Sequence, residues 1–485
     1  MKCISYLVLL LSVVVPAIAQ DKSDKWDLRK CVDYAMKNNI SVKQADVQAR
    51  IAALQLKQAQ LAKYPNANFS SGMGTQFGRT IDRTTNTYSN TQSLYQNLQL
   101  QTGVQVYNYN KLNNSIAYAQ FSAQAALADV EKAANDAALS VCTYYLQVLA
   151  AKEQVNISQV QIAQTQSQLN ITQKRVEAGA LPELNLVELQ AQLATDSSNY
   201  ITAQTTYQQN VLALKAVINF DAAAAFEVAI PEVDKIPVLP LADLQPESIY
   251  QLALGNQPLQ KGNALRIKAA DKNIMIYKAQ LYPTLSLGLN LASNFYNSFK
   301  KIDGYSFNGF SPNGDVVNVG TNTYQVNSPN IAIQQSKRSV GQLFDGYSKQ
   351  LDNNFGQTVG LSLSVPVFNN GQYRIAYEQS KLSYKTQLLN KESADNTLKQ
   401  NIYTSYSNAV SALEKQNAGK KTVISYQKAF DFASKRYEVG LLSTLDLITN
   451  QNNLLRAKLQ QVSNEYDYVF KMKLLEFYKG QGLKL

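Results

Sequence analysis

Side-chain chemistry needs a nucleophile, a base or a metal ligand, and this sequence is poor in all three. It contains no histidine, so the commonest general base and the commonest metal ligand are both missing. Beyond Cys3 it has two cysteines, Cys31 and Cys142, in a chain of 485 residues. That is no disulfide framework, and two small buried helix residues are the simpler expectation. Glu183 and Glu188 could pair, but neither has a recognisable nucleophile or base beside it. Gly72-Met-Gly74-Thr-Gln-Phe-Gly78 looks like a dinucleotide fingerprint, yet its third glycine is displaced and no helix follows. The net charge is +11, from 46 Lys and Arg against 35 Asp and Glu. The positive residues are scattered rather than gathered into the stripe of a nucleic-acid binder. An enzyme, a metal or cofactor protein and a nucleic-acid binder are all disfavoured.

What the sequence repeats is a turn. Arg436-Tyr-Glu-Val-Gly440-Leu-Leu-Ser-Thr-Leu445-Asp446 and Arg175-Val-Glu-Ala-Gly179-Ala-Leu-Pro-Glu-Leu184-Asn185 carry Arg, Glu, Gly and Leu at one spacing. A glycine just past a helical run suits the left-handed residue that ends a helix. Ser443 or Thr444 can cap the next helix in one copy, and Pro182 can occupy its first turn in the other. Each copy is therefore expected to be the tip of a long helical hairpin. Residues 111–178 contain neither Gly nor Pro; a helix of that length spans on the order of 100 Å at 1.5 Å per residue, too long for a compact globule. Residues 372–439 form the counterpart, with one interior Gly419. There Leu398, Ile402, Tyr406, Ala409 and Leu413 give the spacing of a packed coiled-coil face. Residues 183–220 and 445–479 are the return helices.

Between the helical runs the period changes to two. After Pro65, Ala67, Phe69, Ser71, Met73 and Phe77 fall on one face and Asn66, Asn68, Ser70, Gly72 and Gln76 on the other, a strand near 66–77. Residues 78–97 are polar and read as a loop. Leu98, Leu100, Val104 and Val106 then alternate with Gln99, Gln101, Gly103 and Gln105, a strand near 98–107. Tyr64-Pro65 and Asn38-Asn39 reappear 218 residues later as Tyr282-Pro283 and Asn256-Gln257. A strand near 284–296 follows, with Leu285, Leu287, Leu289 and Leu291 opposed to Ser286, Gly288 and Asn290. The last strand, near 356–368, sets Val359, Leu361, Leu363, Val365 and Val367 against Thr358, Gly360, Ser362 and Ser364. The polar stretch near 298–354 reads as a long loop, a kind that is usually functional or mobile. Pro231, Pro237, Pro240 and Pro246 mark a linker over 221–246. The chain is thus one unit used twice, 20–220 and 247–485, each helix, strand, loop, strand, very long helix, tip, helix. Ahead of it, Lys2, an apolar run over 6–18 and Ala17-Ile18-Ala19-Gln20 make a secretory signal of residues 1–19. Cys3 precedes the apolar run, so no lipid-bearing cysteine is expected at the new N-terminus.

Strands of about ten residues with one apolar face have the length to cross a bilayer at a tilt. They cross only as closed barrels, which need about eight strands, so several chains would share one. The other reading is an antiparallel sheet packed on the helices with one wet face.

The order of elements, the two constant offsets, the stretch from Trp26 to Asn39, the Tyr-Pro strand entries and the Arg…Gly…Leu tips resemble the TolC family of outer-membrane channel-tunnels over essentially the whole mature chain. The resemblance implies an α+β membrane protein: a homotrimer whose four strands per chain make one 12-stranded β-barrel, continued by a long α-helical barrel in the periplasm of a Gram-negative bacterium. Its partners would be a periplasmic adaptor, an inner-membrane transporter and outer-membrane lipid, with no nucleic acid and no cofactor. It would export small molecules or proteins, as the exit duct of a tripartite efflux pump or a type I secretion system. By position, Arg175, Gly179, Leu184, Arg436, Gly440 and Leu445 would form the adaptor-docking tips. Asp446 and Thr449, with Asn185 and Glu188 of the other copy, would line the constriction. Family tips often carry two acidic rings; here Thr449 and Asn185 depart from that pattern, leaving Asp446 and Glu188 as the negative lining. An adaptor or coiled-coil scaffold would also offer helical hairpins, but an adaptor carries one hairpin in a Gly-rich β domain and this chain has two.

Overall fold

The computed structural model describes residues 25–82, 87–230 and 236–480. The expected secretory signal, residues 1–19, lies outside them. The chain divides into two compact units. The first holds the hairpin tips, α1 (Leu28–Asn38), α4 (Glu183–Val217), α5 (Pro246–Asn256), α9 (Thr444–Lys479) and most of α3 (Lys111–Glu177) and α8 (Gln372–Glu438).

The starts and stops follow from local chemistry. Asp27 caps α1, its Oδ1 accepting from Lys30 N at 2.7 Å. At Asn39 the backbone turns extended, and α2 (Ile40–Leu61) begins afresh. The Asn39 side chain donates to Val217 O at 2.8 Å, so the break is also an anchor to the end of α4. Gln257 makes the matching break between α5 and α6 (Pro258–Ala279). Gly419, the interior glycine of α8, lets α9 approach: a Cβ there would collide with the Gln461 side chain and lie 3.1 Å from Asn464 Nδ2.

The core of this unit gathers Cys31, Cys142, Tyr145, Leu149, Leu214 and Val469. Trp26, Tyr34, Phe220 and Phe226 cover it as an aromatic cluster with ring centroids 5.0–5.9 Å apart. Both cysteines are free and buried, and desolvation pushes each thiol up to about 12, away from its nucleophilic thiolate form. The linker is held by buried lysines. Lys215 Nζ donates to the carbonyls of Ala222 and Ala224 at 2.9 and 2.5 Å. Lys473 Nζ donates to Pro237 O at 2.6 Å and pairs with Glu476 at 2.9 Å. Glu476 in turn accepts from Leu239 N at 2.8 Å.

The second unit is a four-stranded antiparallel sheet in the order β1 (Asn66–Asp82), β2 (Thr87–Tyr107), β3 (Thr284–Ser298), β6 (Gly356–Ser364). Two expectations are corrected here. Residues 78–82 and 87–97, expected as loop, are strand: β1 and β2 pair without interruption from Asn66–Gly103 to Asp82–Thr87. Past Phe77 apolar residues thin out, Ile81, Tyr88 and Leu94 standing among polar ones, so the alternation is lost while the main-chain ladder continues. The stretch 298–354 is not a loop either. It contains a separate two-stranded ribbon, β4 (Lys300–Val319) with β5 (Asn322–Lys337), then a 3-10 turn (Gly341–Phe344) and α7 (Tyr347–Asn353). Three register shifts in the ribbon scramble the period-two signal. β6 ends at Ser364, short of the 368 read from alternation; Pro366 lacks the N–H to continue a ladder.

Candidate functional site

Two features lack a structural explanation inside the chain: the faces of the sheet and the paired helical tips. The register sorts the strands into two faces. One carries the cross-strand rows Ala67–Thr102–Leu289–Val359, Phe69–Leu100–Leu291 and Val104–Leu287–Leu361. Phe69, Val359 and Leu361 are 68–70% exposed. A face of this kind on a water-soluble sheet is normally covered. Its far end is covered: Leu94 and Phe295 pack with Leu343, Tyr347 and Leu351 of the 3-10 turn and α7. Tyr347 Oη donates to Gln96 at 2.7 Å, and Asn297 to Leu343 O at 3.0 Å. At the other end Tyr109 stacks on Tyr282, ring centroids 3.7 Å apart. The ten steps from Leu285 to Phe295 cover roughly 33 Å of strand, or about 25 Å across a bilayer at a tilt of about 40°. Aromatic rings thus bound the bare apolar band at both ends. The opposite face is polar and opens a cleft of about 940 Å³ lined by Asn68, Gln101, Gly103, Ser286, Gly288 and Asn290 among others. Among the described residues, the outer edges of β1 and β6 pair with no other strand.

The two tips close with the same hydrogen bonds. Leu441 N donates to Arg436 O and Gly440 N to Tyr437 O, at 2.8 and 3.0 Å; Ala180 N donates to Arg175 O and Gly179 N to Val176 O, at 2.8 and 2.9 Å. This is the double bond of a Schellman turn, which needs a left-handed residue. Gly440 and Gly179 supply it at φ of +77° and +70°. A Cβ at either would touch nothing within 4 Å. Gly440→Ala is therefore expected to cost about 1–2 kcal/mol from the backbone alone, read as a lower denaturation midpoint. Gly440→Asn should lose less.

After the turn, Ser443 caps α9: its Oγ accepts from Asp446 N at 3.1 Å and donates to Asp446 Oδ2 at 2.7 Å. Asp446, Leu445 and Thr449 are exposed; Asn185 and Glu188 are half-buried; Leu184 is exposed. Pro182 stands at the cap position of α4, one residue before its first turn. Arg436 is exposed, and among the described residues its guanidinium donates to Leu441 O, at 3.4 Å. Arg175 behaves differently. It donates to Glu438 O at 2.8 Å and Tyr437 O at 3.4 Å, setting a cation on the C-terminal end of α8. Tyr437 Oη meets the buried Thr172 hydroxyl at 2.8 Å and accepts from Thr444 at 3.4 Å. These contacts join one hairpin to the other.

Further from the turns, a polar network continues that junction, and sequence reasoning missed it. Asp196 of α4 is buried and accepts from Thr165 at 2.6 Å and Gln192 at 2.8 Å. Gln451 of α9 donates to Thr165 at 2.9 Å. Thr165, Asp196 and Gln451 look like ordinary polar helix residues in the sequence. A charged residue at a core-facing helix position was the available signal. Among the described residues no cluster of His, Cys, Asp and Glu could hold a metal ion.

The comparisons with known proteins agree with this architecture. The profile of the outer membrane efflux protein family matches residues 31–219 and 329–478. Outer membrane protein TolC of Escherichia coli is 23% identical over 334 residues, which are 68% of this chain and 58% of that protein. The pyoverdine export outer membrane protein OpmQ of Pseudomonas putida is 22% identical over 336 residues, 66% of this chain and 57% of that one. This chain thus aligns with less than two thirds of either relative. Among solved structures, VceC of Vibrio cholerae superposes with a TM-score of 0.70 at 15% identity, covering 94% of this chain and 97% of that one. The CmeC channel of Campylobacter jejuni gives 0.68 at 18% identity, covering 94% and 86%. The chain belongs to the outer membrane efflux protein family, as an outer-membrane protein that extends into the periplasm and is not an enzyme.

Proposed function

We propose that the protein is a homotrimeric export channel whose four strands per chain, a twofold repeat of strand pairs, complete a 12-stranded barrel. The observation that carries this is the sheet: a bare apolar face, a wet polar face and two free edges in one chain. Lipid leaves no partner for an open edge, and four strands are too few to close. Three copies follow the family pattern. In this reading the long helices continue the duct into the periplasm. Its far end is shut by the tips and engaged there by a periplasmic adaptor and an inner-membrane transporter, through Gly179, Leu184, Arg436, Gly440 and Leu445. The duct conveys small molecules or proteins outward. The detergent-purified protein should migrate as a trimer and conduct ions in a planar bilayer; a monomer that stays in solution without detergent overturns the reading.

Two expected results concern the tips. Arg175 and Tyr437 are engaged within the chain, so here they act as a clasp between hairpins rather than as docking residues. Tyr437→Phe leaves the buried Thr172 hydroxyl without its partner, a cost of about 1–3 kcal/mol, and Arg175→Ala uncaps α8. Together they should raise the conductance of the closed channel, while Tyr437→Phe alone raises it less. Asp446 lines the constriction with Glu188 in this reading. Asp446→Ala should then weaken blockade by multivalent cations; unchanged conductance and blockade would place that carboxylate off the path and leave it only its role beside Ser443.

A further inference from the structure

Facing water costs a charged side chain nothing, so the wet face of a membrane sheet is free to carry charges. Here it carries none across the strands' shared span. The rows on that face are Asn66–Gly103–Gly288–Gly360, Asn68–Gln101–Asn290–Thr358, Ser70–Gln99–Ala292–Gly356 and Gln105–Ser286–Ser362, then Gly72–Asn97–Asn294 and Gly74–Tyr95–Tyr296. The four strands together hold 62 residues, of which only Arg79 and Asp82, at the far end of β1, are ionisable as acid or base at neutral pH. At the chain's overall 17% about ten would be charged. The lipid-side positions account for some of that deficit, but not for the wet half.

The glycine row is the second observation. Gly103, Gly288 and Gly360 lie side by side on three neighbouring strands, and Gly103 and Gly288 line the cleft together with Gly360. None has a positive φ. A Cβ at Gly288 would come no closer than 3.9 Å to another atom, and at Gly360 nothing lies within 4 Å. Neither backbone nor packing within the chain demands glycine here. What the row does is leave the cleft wide at one level.

We propose that the sheet's wet face is a charge-free section of the duct that does not sort cargo by charge, held wide by the Gly103–Gly288–Gly360 row. Uncharged and zwitterionic organic molecules pass it as readily as ions of either sign. This rests on the channel reading above. The test uses the full-length protein with Asp446→Ala and Glu188→Ala, which removes the acidic tip lining, in planar bilayers under a KCl gradient, adding Gly288→Asp, Gly288→Lys and Gly288→Trp, and the same three changes at Gly360 as a second set. Asp and Lys should shift the cation-to-anion permeability ratio in opposite directions by roughly threefold or more, and Trp should lower conductance without moving the ratio. In liposome swelling, this tip-neutral channel should admit neutral, cationic and anionic solutes of matched size at similar rates. A conducting tip-neutral channel whose swelling rates differ several-fold with solute charge overturns the inference, as does a ratio unmoved by Asp and Lys in both sets; the channel reading survives either result. A wild-type trimer that conducts nothing overturns both.

Discussion

Leu361→Arg is expected to abolish assembly in the outer membrane, and Ser362→Arg, one residue along the same strand, to leave it intact. In the isolated chain Leu361 is 69% exposed and touches no core. On a soluble sheet such a position accepts arginine within about half a kcal/mol. Against lipid, arginine near the midplane costs about 2–4 kcal/mol in each copy, and a trimer bears that cost three times over. Ser362 sits opposite Ser286 on the wet face, where arginine keeps its water. The readouts are heat-sensitive trimer mobility on a gel and recovery in the outer-membrane fraction. If both variants assemble, the leucine face is a wet face and the barrel is wrong. If both fail, strand β6 is intolerant of arginine for reasons other than lipid, and the comparison of faces loses its force. The pair is informative because the two residues share a strand, a depth and a substitution, and differ only in the face they occupy.

The legible parts of this fold are those where one physical constraint dominates. The long helices could be read because Gly and Pro are absent over 111–178, and the tips because a left-handed glycine recurs between helical runs. The strands were legible while leucine alternated with polar residues, as from Leu285 to Leu291, and became illegible where apolar residues thinned out beyond Phe77. The ribbon at 300–337 stayed hidden because its bulges destroy the period. Nothing in the helical pattern distinguishes Lys473 and Glu476 from an ordinary i,i+3 pair on a solvated face. Only the fold reveals that both are buried. The tips illustrate a different limit. Arg175 and Arg436 occupy equivalent places in the repeat, yet one guanidinium grips the neighbouring helix and the other faces solvent. Equal spacing in sequence gives equal turns, but which copy is turned toward its neighbour depends on the packing of four helices. Asp446 shows the same thing: its place after the tip suggested a lining carboxylate, and the structure adds a bond to the cap of its own helix.

Lys473→Met is expected to be the most destabilising single change in the helical unit. The lysine side chain is 3% exposed and that of Glu476 7%. Around them stand Met472 and Leu475, both fully buried. Lysine donates to Pro237 O and to Glu476; the carboxylate also accepts from Leu239 N. Methionine fills the space but leaves a buried carboxylate with no cation, a loss of about 3–5 kcal/mol. The double variant Lys473→Met with Glu476→Leu removes both charges and keeps the volume. It should recover most of that loss, falling short by about 1–2 kcal/mol because Leu239 N–H then loses its acceptor and Pro237 O its lysine donor. Denaturant midpoints in detergent measure the three proteins, and limited proteolysis near 236–239 reports whether the linker has come free. A single variant as stable as the double would mean that water reaches Glu476, and the pair would then count for little. The recovery matters more than the loss, since any damaging core change destabilises, whereas only an uncompensated charge is repaired by deleting its partner. If the recovery holds while the linker stays protease-sensitive in the double variant, the pair's role is to fix the path of the linker across α9 rather than to add stability.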